Sequence, residues 1–96
     1  MNLGEVIRNN RKQKGLTQKE FAIACGITQT YLSQIESNQK EPNLAKLKEI
    51  SQQLDIPLPI LFFLSLNEED IPQEKRTAFE IVNPSVKSFI HEFFTT

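Results

Sequence analysis

"TQKEFAIACGITQTYLSQIESN", Thr17 to Asn38, decides the fold, because a lone glycine, Gly26, divides it into two short helical patterns. Thr17 with Glu20 three residues later makes a capping box, which opens a helix over about 18–25 whose inward stripe is Phe21, Ala22 and Cys25. Gly26 ends it. Thr28 caps the next helix, about 29–36, in which Tyr31, Leu32 and Ile35 face inward while Gln29, Thr30, Ser33 and Gln34 point elsewhere. Solubility alone would be better served by charge than by this row of amides and hydroxyls, so the row asks for a ligand.

Two short helices joined by a three- or four-residue turn containing glycine have the helix-turn-helix signature, and its demands are steric. A small residue is needed where the helices cross, and Ala22 supplies it. A residue comfortable at positive φ is needed where the chain reverses, and Gly26 supplies it four positions on. Phe21, Cys25, Ile27, Leu32 and Ile35 pin both helices to one core.

The same periodicity extends in both directions. Asn2 with Glu5 caps a first helix over about 2–14, carried by Leu3, Val6 and Ile7 and stopped at Gly15. After the polar loop "SNQKEP", Asn43 caps a fourth helix with Leu44, Leu47, Ile50 and Leu54 inward, and "DIPLPILFFLS" forms a fifth, nearly all-apolar one. A charged linker, "NEEDIPQ", leads to Pro72 at the first position of a helix over about 72–82. Asn83 and Pro84 then signal a fresh helix start, with Val86, Phe89, Ile90, Phe93 and Phe94 at i, i+3, i+4, i+7 and i+8. No strand pattern is convincing, so the chain reads as all-α.

Composition narrows the function. Ninety-six residues, 39% hydrophobic and 24% charged, make one ordinary globule without repeats or low-complexity stretches. The longest apolar run, Ile60 to Leu64, is far short of the roughly 20 residues of a membrane span, and no signal-peptide h-region opens the chain, so a cytoplasmic location without membrane attachment is expected. The single cysteine, Cys25, cannot form an internal disulfide and sits on an apolar stripe, which favours a buried, inert thiol over a redox sensor. His91 is the only histidine and Gly4, Gly15 and Gly26 the only glycines. With no metal-ligand spacing, nucleophile elbow or phosphate loop, no catalytic residue, metal or cofactor is expected. The net charge of −1 hides a split: residues 1–48 carry eight Lys/Arg against four Asp/Glu, and residues 49–96 carry three against eight. The first half is the cationic working face.

Through "R..RKQKGLTQKEFA", "GITQTYLSQIE" and "PNLAKLKEISQQLDI" the chain resembles the lambda-repressor-like, or XRE/Cro-type, helix-turn-helix regulators, from about Leu3 to Leu64. The resemblance implies a five-helix DNA-binding domain, here residues 1–66, with a short helical C-terminal extension, 67–96. It further implies a homodimer on a palindromic operator in double-stranded DNA, with the third helix in the major groove. Glutamine can bond adenine N6 and N7 bidentately and threonine can meet a thymine methyl, so Gln29, Thr30, Ser33 and Gln34 are the expected base readers. The family glutamine matching Gln18 bonds a phosphate and braces the first recognition-helix glutamine, here Gln29. Thr17, Thr28, Tyr31, Asn38 and Lys40 are further backbone contacts by residue type; the two threonines serve equally as caps, and Tyr31 equally as core. Arg11 and Glu36 match positions that form a buried ion pair in some members. Asn38 stands where many relatives carry glycine, and weak basicity predicts modest affinity with a shallow salt dependence.

Six of the seven phenylalanines lie beyond residue 60. Ile60, Phe63, Phe89, Ile90, Phe93 and Phe94 are therefore expected to form a dimer interface, against the alternatives that the tail folds over its own domain or binds another protein, as in an antitoxin or an antagonist-controlled regulator.

Overall fold

In the computed structural model, which describes residues 1–94, six α-helices follow one another: α1 (Leu3–Gln13), α2 (Gln18–Cys25), α3 (Gln29–Glu36), α4 (Leu44–Leu54), α5 (Leu58–Ser65) and α6 (Arg76–Phe94). Two single 3-10 turns, Glu68–Asp70 and Gln73–Lys75, carry the chain from α5 to α6. No strand occurs among the described residues. The all-α expectation holds, as do the bounds of α2 and α3. Positions 95 and 96 of the expected extension lie outside the described residues.

Local chemistry explains the starts of α1 to α4. The side-chain oxygens of Asn2, Thr17, Thr28 and Asn43 accept hydrogen bonds from the backbone N–H of Glu5, Glu20, Tyr31 and Lys46 at 3.3, 3.1, 3.1 and 2.9 Å, which satisfies donors that a helix leaves open at its first turn. At Thr17 the box is reciprocal, since its N–H donates to Glu20 Oε1 at 3.1 Å, and these bonds hold the Glu20 carboxyl below its ordinary pKa. Gly26 stops α2 with φ 68°, in the left-handed region. Asn38 and Asp55 adopt the same region at 62° and 57° after α3 and α4.

The core lies where α1, α2, α3, α4 and α5 converge. Ile7, Phe21, Leu32, Ile35, Ile50, Leu54 and Leu61 are almost fully sealed from solvent. Cys25 belongs to this core, and burial, with the Glu49 carboxylate adding to it, pushes its thiol up to about 11. A thiol in that setting stays protonated at neutral pH.

Two expectations need correction. Leu44, placed inward from its spacing, is 57% exposed; it is the first residue of α4, where the Cβ leans toward the N-terminus and off the end of the core. The two C-terminal helices are one helix that runs through Pro84. An interior proline lacks the N–H that would bond the carbonyl four residues back, so the Asn83-Pro84 pair is a sound local stop signal. Tertiary packing outweighs it: Phe79, Val86 and Ile90 share the face that leans on the domain, and a break at Pro84 would lose their common register. The cost is visible at Asn83, whose Oδ1 is buried without a partner instead of capping a helix.

The extension folds back over its own domain. Ile90, 4% exposed, sits beside Asn10, Gln13 and Leu64, and Phe94 lies near Ile56 and Pro57. Arg76 Nε donates to the carbonyls of Glu68 and Ile71 at 3.0 and 3.2 Å. The Met1 amine meets Asp70 at 2.7 Å, and Asn2 N–H donates to the Ser65 carbonyl at 2.8 Å. No helix among the described residues is long and apolar enough to cross a membrane.

Candidate nucleic-acid interface

Helix α3 is held from behind by two ties at its C-terminal end. Near its C-terminal end, Arg11 of α1 grips the carboxylate of Glu36 with two bonds, Nε to Oε2 at 2.7 Å and Nη2 to Oε1 at 3.1 Å. Arg11 Nη1 also donates to the Leu16 carbonyl at 2.7 Å, and Gln18 Nε2 donates to Glu36 Oε1 at 3.0 Å. Both side chains of the pair are less than a tenth exposed, so the fork and the amide stand in for the water that would otherwise solvate these charges. The expected ion pair is present, and it joins α1, the start of α2 and the end of α3.

A second tie has no signal in the sequence. Gly4 lies where α1 passes over the end of α3, so close that a Cβ there would stand 2.3 Å from the Ile35 carbonyl oxygen and 2.7 Å from that of Glu36. The turn after α3 closes the gap: Asn38 Oδ1 accepts from Gly4 N–H at 3.0 Å, and Asn38 Nδ2 donates to Asn2 Oδ1 at 2.8 Å. A glycine inside a helical pattern carries no local mark of the backbone it must admit. Only a bond spanning 34 residues reveals it.

With its back fixed, α3 turns Gln29, Thr30 and Ser33 to solvent and leaves Gln34 half-buried. These four residues form one contiguous edge that starts at the N-terminal end of the helix. Thr17 and Thr28 stand at the starts of α2 and α3 as caps; each hydroxyl oxygen accepts a backbone bond, which leaves its O–H able to donate outward. Tyr31 is half-buried against the core, and Lys40 is exposed in the loop after α3. Two expected contacts are placed differently. Gln18 donates its amide to Glu36, not to Gln29, and the side chain of Asn38 is committed to Gly4 and Asn2. Asn38, itself exposed, thereby secures the end of the helix with both ends of its amide.

The residues expected at a C-terminal interface divide in the same way. Phe89 and Phe93 are 62% and 68% exposed, with parallel rings whose centroids lie 6.3 Å apart. Val82 continues the same face, Ile81 lies on the adjoining side of α6, and both are exposed. Ile60 and Phe63 are half-buried within the domain, and Ile90 belongs to the inner face of α6, so it is withdrawn from any outward interface.

A short packed helix pair with Ala22 buried, a glycine at positive φ between the helices, and an exposed polar edge on the second helix together define the helix-turn-helix class. The helix-turn-helix family profile matches residues 7–61, more than half of the chain. The chain belongs to the XRE-type helix-turn-helix family. Among similar proteins is the HTH-type transcriptional regulator SinR of Bacillus licheniformis, 38% identical over 69 residues (71% of this chain, 59% of that one). The ImmF control region 10 kDa protein of Bacillus phage phi105 is 39% identical over 59 residues (62% of this chain, 66% of that one). The transcriptional regulator ClgR of Mycobacterium tuberculosis is 34% identical over 59 residues (62% and 53%). The chain thus spans less than two thirds of the length of each of these relatives.

Proposed function

We propose that this chain is a sequence-specific DNA-binding transcriptional regulator that works as a homodimer on a palindromic operator, with α3 in the major groove. The observation that carries it is the edge of exposed Gln29, Thr30 and Ser33 with half-buried Gln34, on a helix fixed from behind by Arg11, Gly4 and Asn38. Charge would hold any phosphate equally, whereas an amide presented rigidly to a base edge discriminates among bases. Thr17, Gln18, Thr28, Tyr31 and Lys40 flank that edge and hold the DNA backbone. For Gln18 this means sharing an amide that already donates to Glu36.

Selection of bound sequences from a random DNA pool tests this reading. The expected outcome is an enriched palindrome with half-site centres about 34 Å apart, or a multiple of that spacing. Gln29→Ala should then relax preference at one position per half-site by about 1–3 kcal/mol, the value of one good bidentate pair. A pool with no enriched sequence would sink the direct-readout assignment.

Two recognition helices at a fixed spacing need a second copy of the chain, and the stripe of Val82, Phe89 and Phe93, with Ile81 exposed beside it, is the apolar face available to bind it. Light scattering should give a dimer for the full chain and a monomer for Phe89→Glu/Phe93→Glu, whose targets are exposed and contribute little to the fold. A double variant that remains dimeric removes the stripe from the interface. The same stripe supports a second reading, in which α6 binds a different protein, as in an antitoxin or an antagonist-controlled regulator. A full chain that is monomeric at micromolar concentration would favour it.

A further inference from the structure

We infer that Arg8 and Lys12 of α1, with Ser37 at the end of α3, form a clamp for a phosphate of the DNA backbone beside the reading edge, an inference that rests on the DNA-binding reading above. Arg8 and Lys12 are four residues apart, so they share one face of α1, and both are exposed. Arg11 lies between them in sequence but turns inward to Glu36. Neither Arg8 nor Lys12 takes part in an ion pair among the described residues. Like charges at this spacing repel one another, so an anion placed between them is favoured.

The two cations border a hollow of about 410 Å³ between α1 and α3. Ser33 and Ser37 line it from α3, Gln18 from α2, and the Arg11–Glu36 pair forms its floor. Since Arg11 neutralises Glu36, the hollow retains the two positive charges of Arg8 and Lys12. The Ser37 hydroxyl donates to the Gln34 carbonyl at 3.3 Å, long for an O–H···O bond and readily exchanged for a charge-assisted one to a phosphate oxygen. A guanidinium, an ammonium and a hydroxyl around one concavity match the acceptor-only surface of a phosphodiester.

The position of the hollow selects the source of that phosphate. Ser33 belongs both to the hollow and to the edge that begins at Gln29, one helical turn away, so a duplex read by that edge brings a strand of its backbone across the hollow. Phosphate contacts fix register without carrying sequence information. The clamp therefore sets affinity and leaves preference to the edge of Gln29, Thr30, Ser33 and Gln34.

Fluorescence anisotropy of the full chain on its selected DNA, between about 50 and 200 mM salt, tests the clamp. Arg8→Gln/Lys12→Gln should make the slope of log K against log salt shallower by about 1, the change expected for one phosphate that is no longer neutralised. It should weaken selected and scrambled DNA by the same factor. The charge-retaining Arg8→Lys/Lys12→Arg should restore most of the slope, and Lys87→Gln, a neutralisation on α6 away from the hollow, should leave it unchanged. An unaltered slope in the double glutamine variant, with sequence-specific binding intact, overturns the clamp and spares the DNA-binding reading. An equal change in Lys87→Gln reduces the effect to overall charge and also overturns it. A wild-type chain that binds no DNA overturns both.

Discussion

Glu36→Ala is expected to lower folding stability by about 3 to 5 kcal/mol, the usual consequence of removing one partner from a buried ion pair. Arg11 keeps its bond to the Leu16 carbonyl at 2.7 Å but loses both bonds of its fork to Glu36, and Gln18 loses its acceptor. A guanidinium sealed from water then has one partner for five donors. Domains of this size hold about 5 to 15 kcal/mol in total, so the loss is a large share of it. Chemical denaturation followed by far-UV circular dichroism reads the effect directly, and a midpoint equal to that of the wild type would show that the pair contributes nothing. Arg11→Met/Glu36→Leu separates two causes. Replacing a buried pair by packed apolar groups is often neutral or stabilising, so this double variant should recover most of the loss. Its recovered stability, with DNA affinity still reduced, would assign the pair to aligning α3 as well as to folding.

The parts of the molecule legible in the sequence are those whose causes lie within one helical turn. Asn2, Thr17, Thr28 and Asn43 each bond a backbone N–H three residues on, and residue type with spacing suffices to find such caps. Gly26 and Asn38 are legible as left-handed turn positions for the same reason. Long-range effects are not. The Asn83-Pro84 start signal is correct as local chemistry and fails as structure, because packing of Phe79, Val86 and Ile90 decides whether α6 continues. Periodicity shows that the C-terminal stripe is apolar but cannot divide it, since the inner and outer faces of α6 are both apolar. Ile90 falls on one and Phe89 on the other. At the candidate interface the outward edge of α3 is readable, whereas the supports behind it cannot be reached from local pattern. Arg11 and Glu36 are 25 residues apart, and only the family resemblance pairs them in the sequence. Arg8 and Lys12 read as two more solvated cations until α3 is placed opposite them.

Gly4→Ala should cost about 3 kcal/mol, at the upper end of the range for overpacking, even though alanine is the better helix former by about 1 kcal/mol. What a new Cβ meets decides the sign. Two of its three nearest neighbours would be backbone carbonyl oxygens, those of Ile35 and Glu36, and the third is Asn38 Oδ1 at 2.7 Å. A flexible side chain could swing aside, but carbonyls inside α3 move only with the helix. Separation of α1 from α3 would stretch the Gly4–Asn38 bond of 3.0 Å near the start of α1 and the Arg11–Glu36 fork near its end. The variant should therefore lose stability and DNA affinity together, although residue 4 lies outside the reading edge. Gly15→Ala is the informative control. Its Cβ would meet nothing within 4 Å, so only the strain of a side chain at φ 73° remains, about 1–2 kcal/mol without movement of α3. Comparison of the two by thermal melting and anisotropy isolates close approach from backbone conformation. A Gly4→Ala protein as stable as the wild type would mean that α1 and α3 can part without cost. The rigid backing assigned to α3 would then have to come from Arg11 and Glu36 alone.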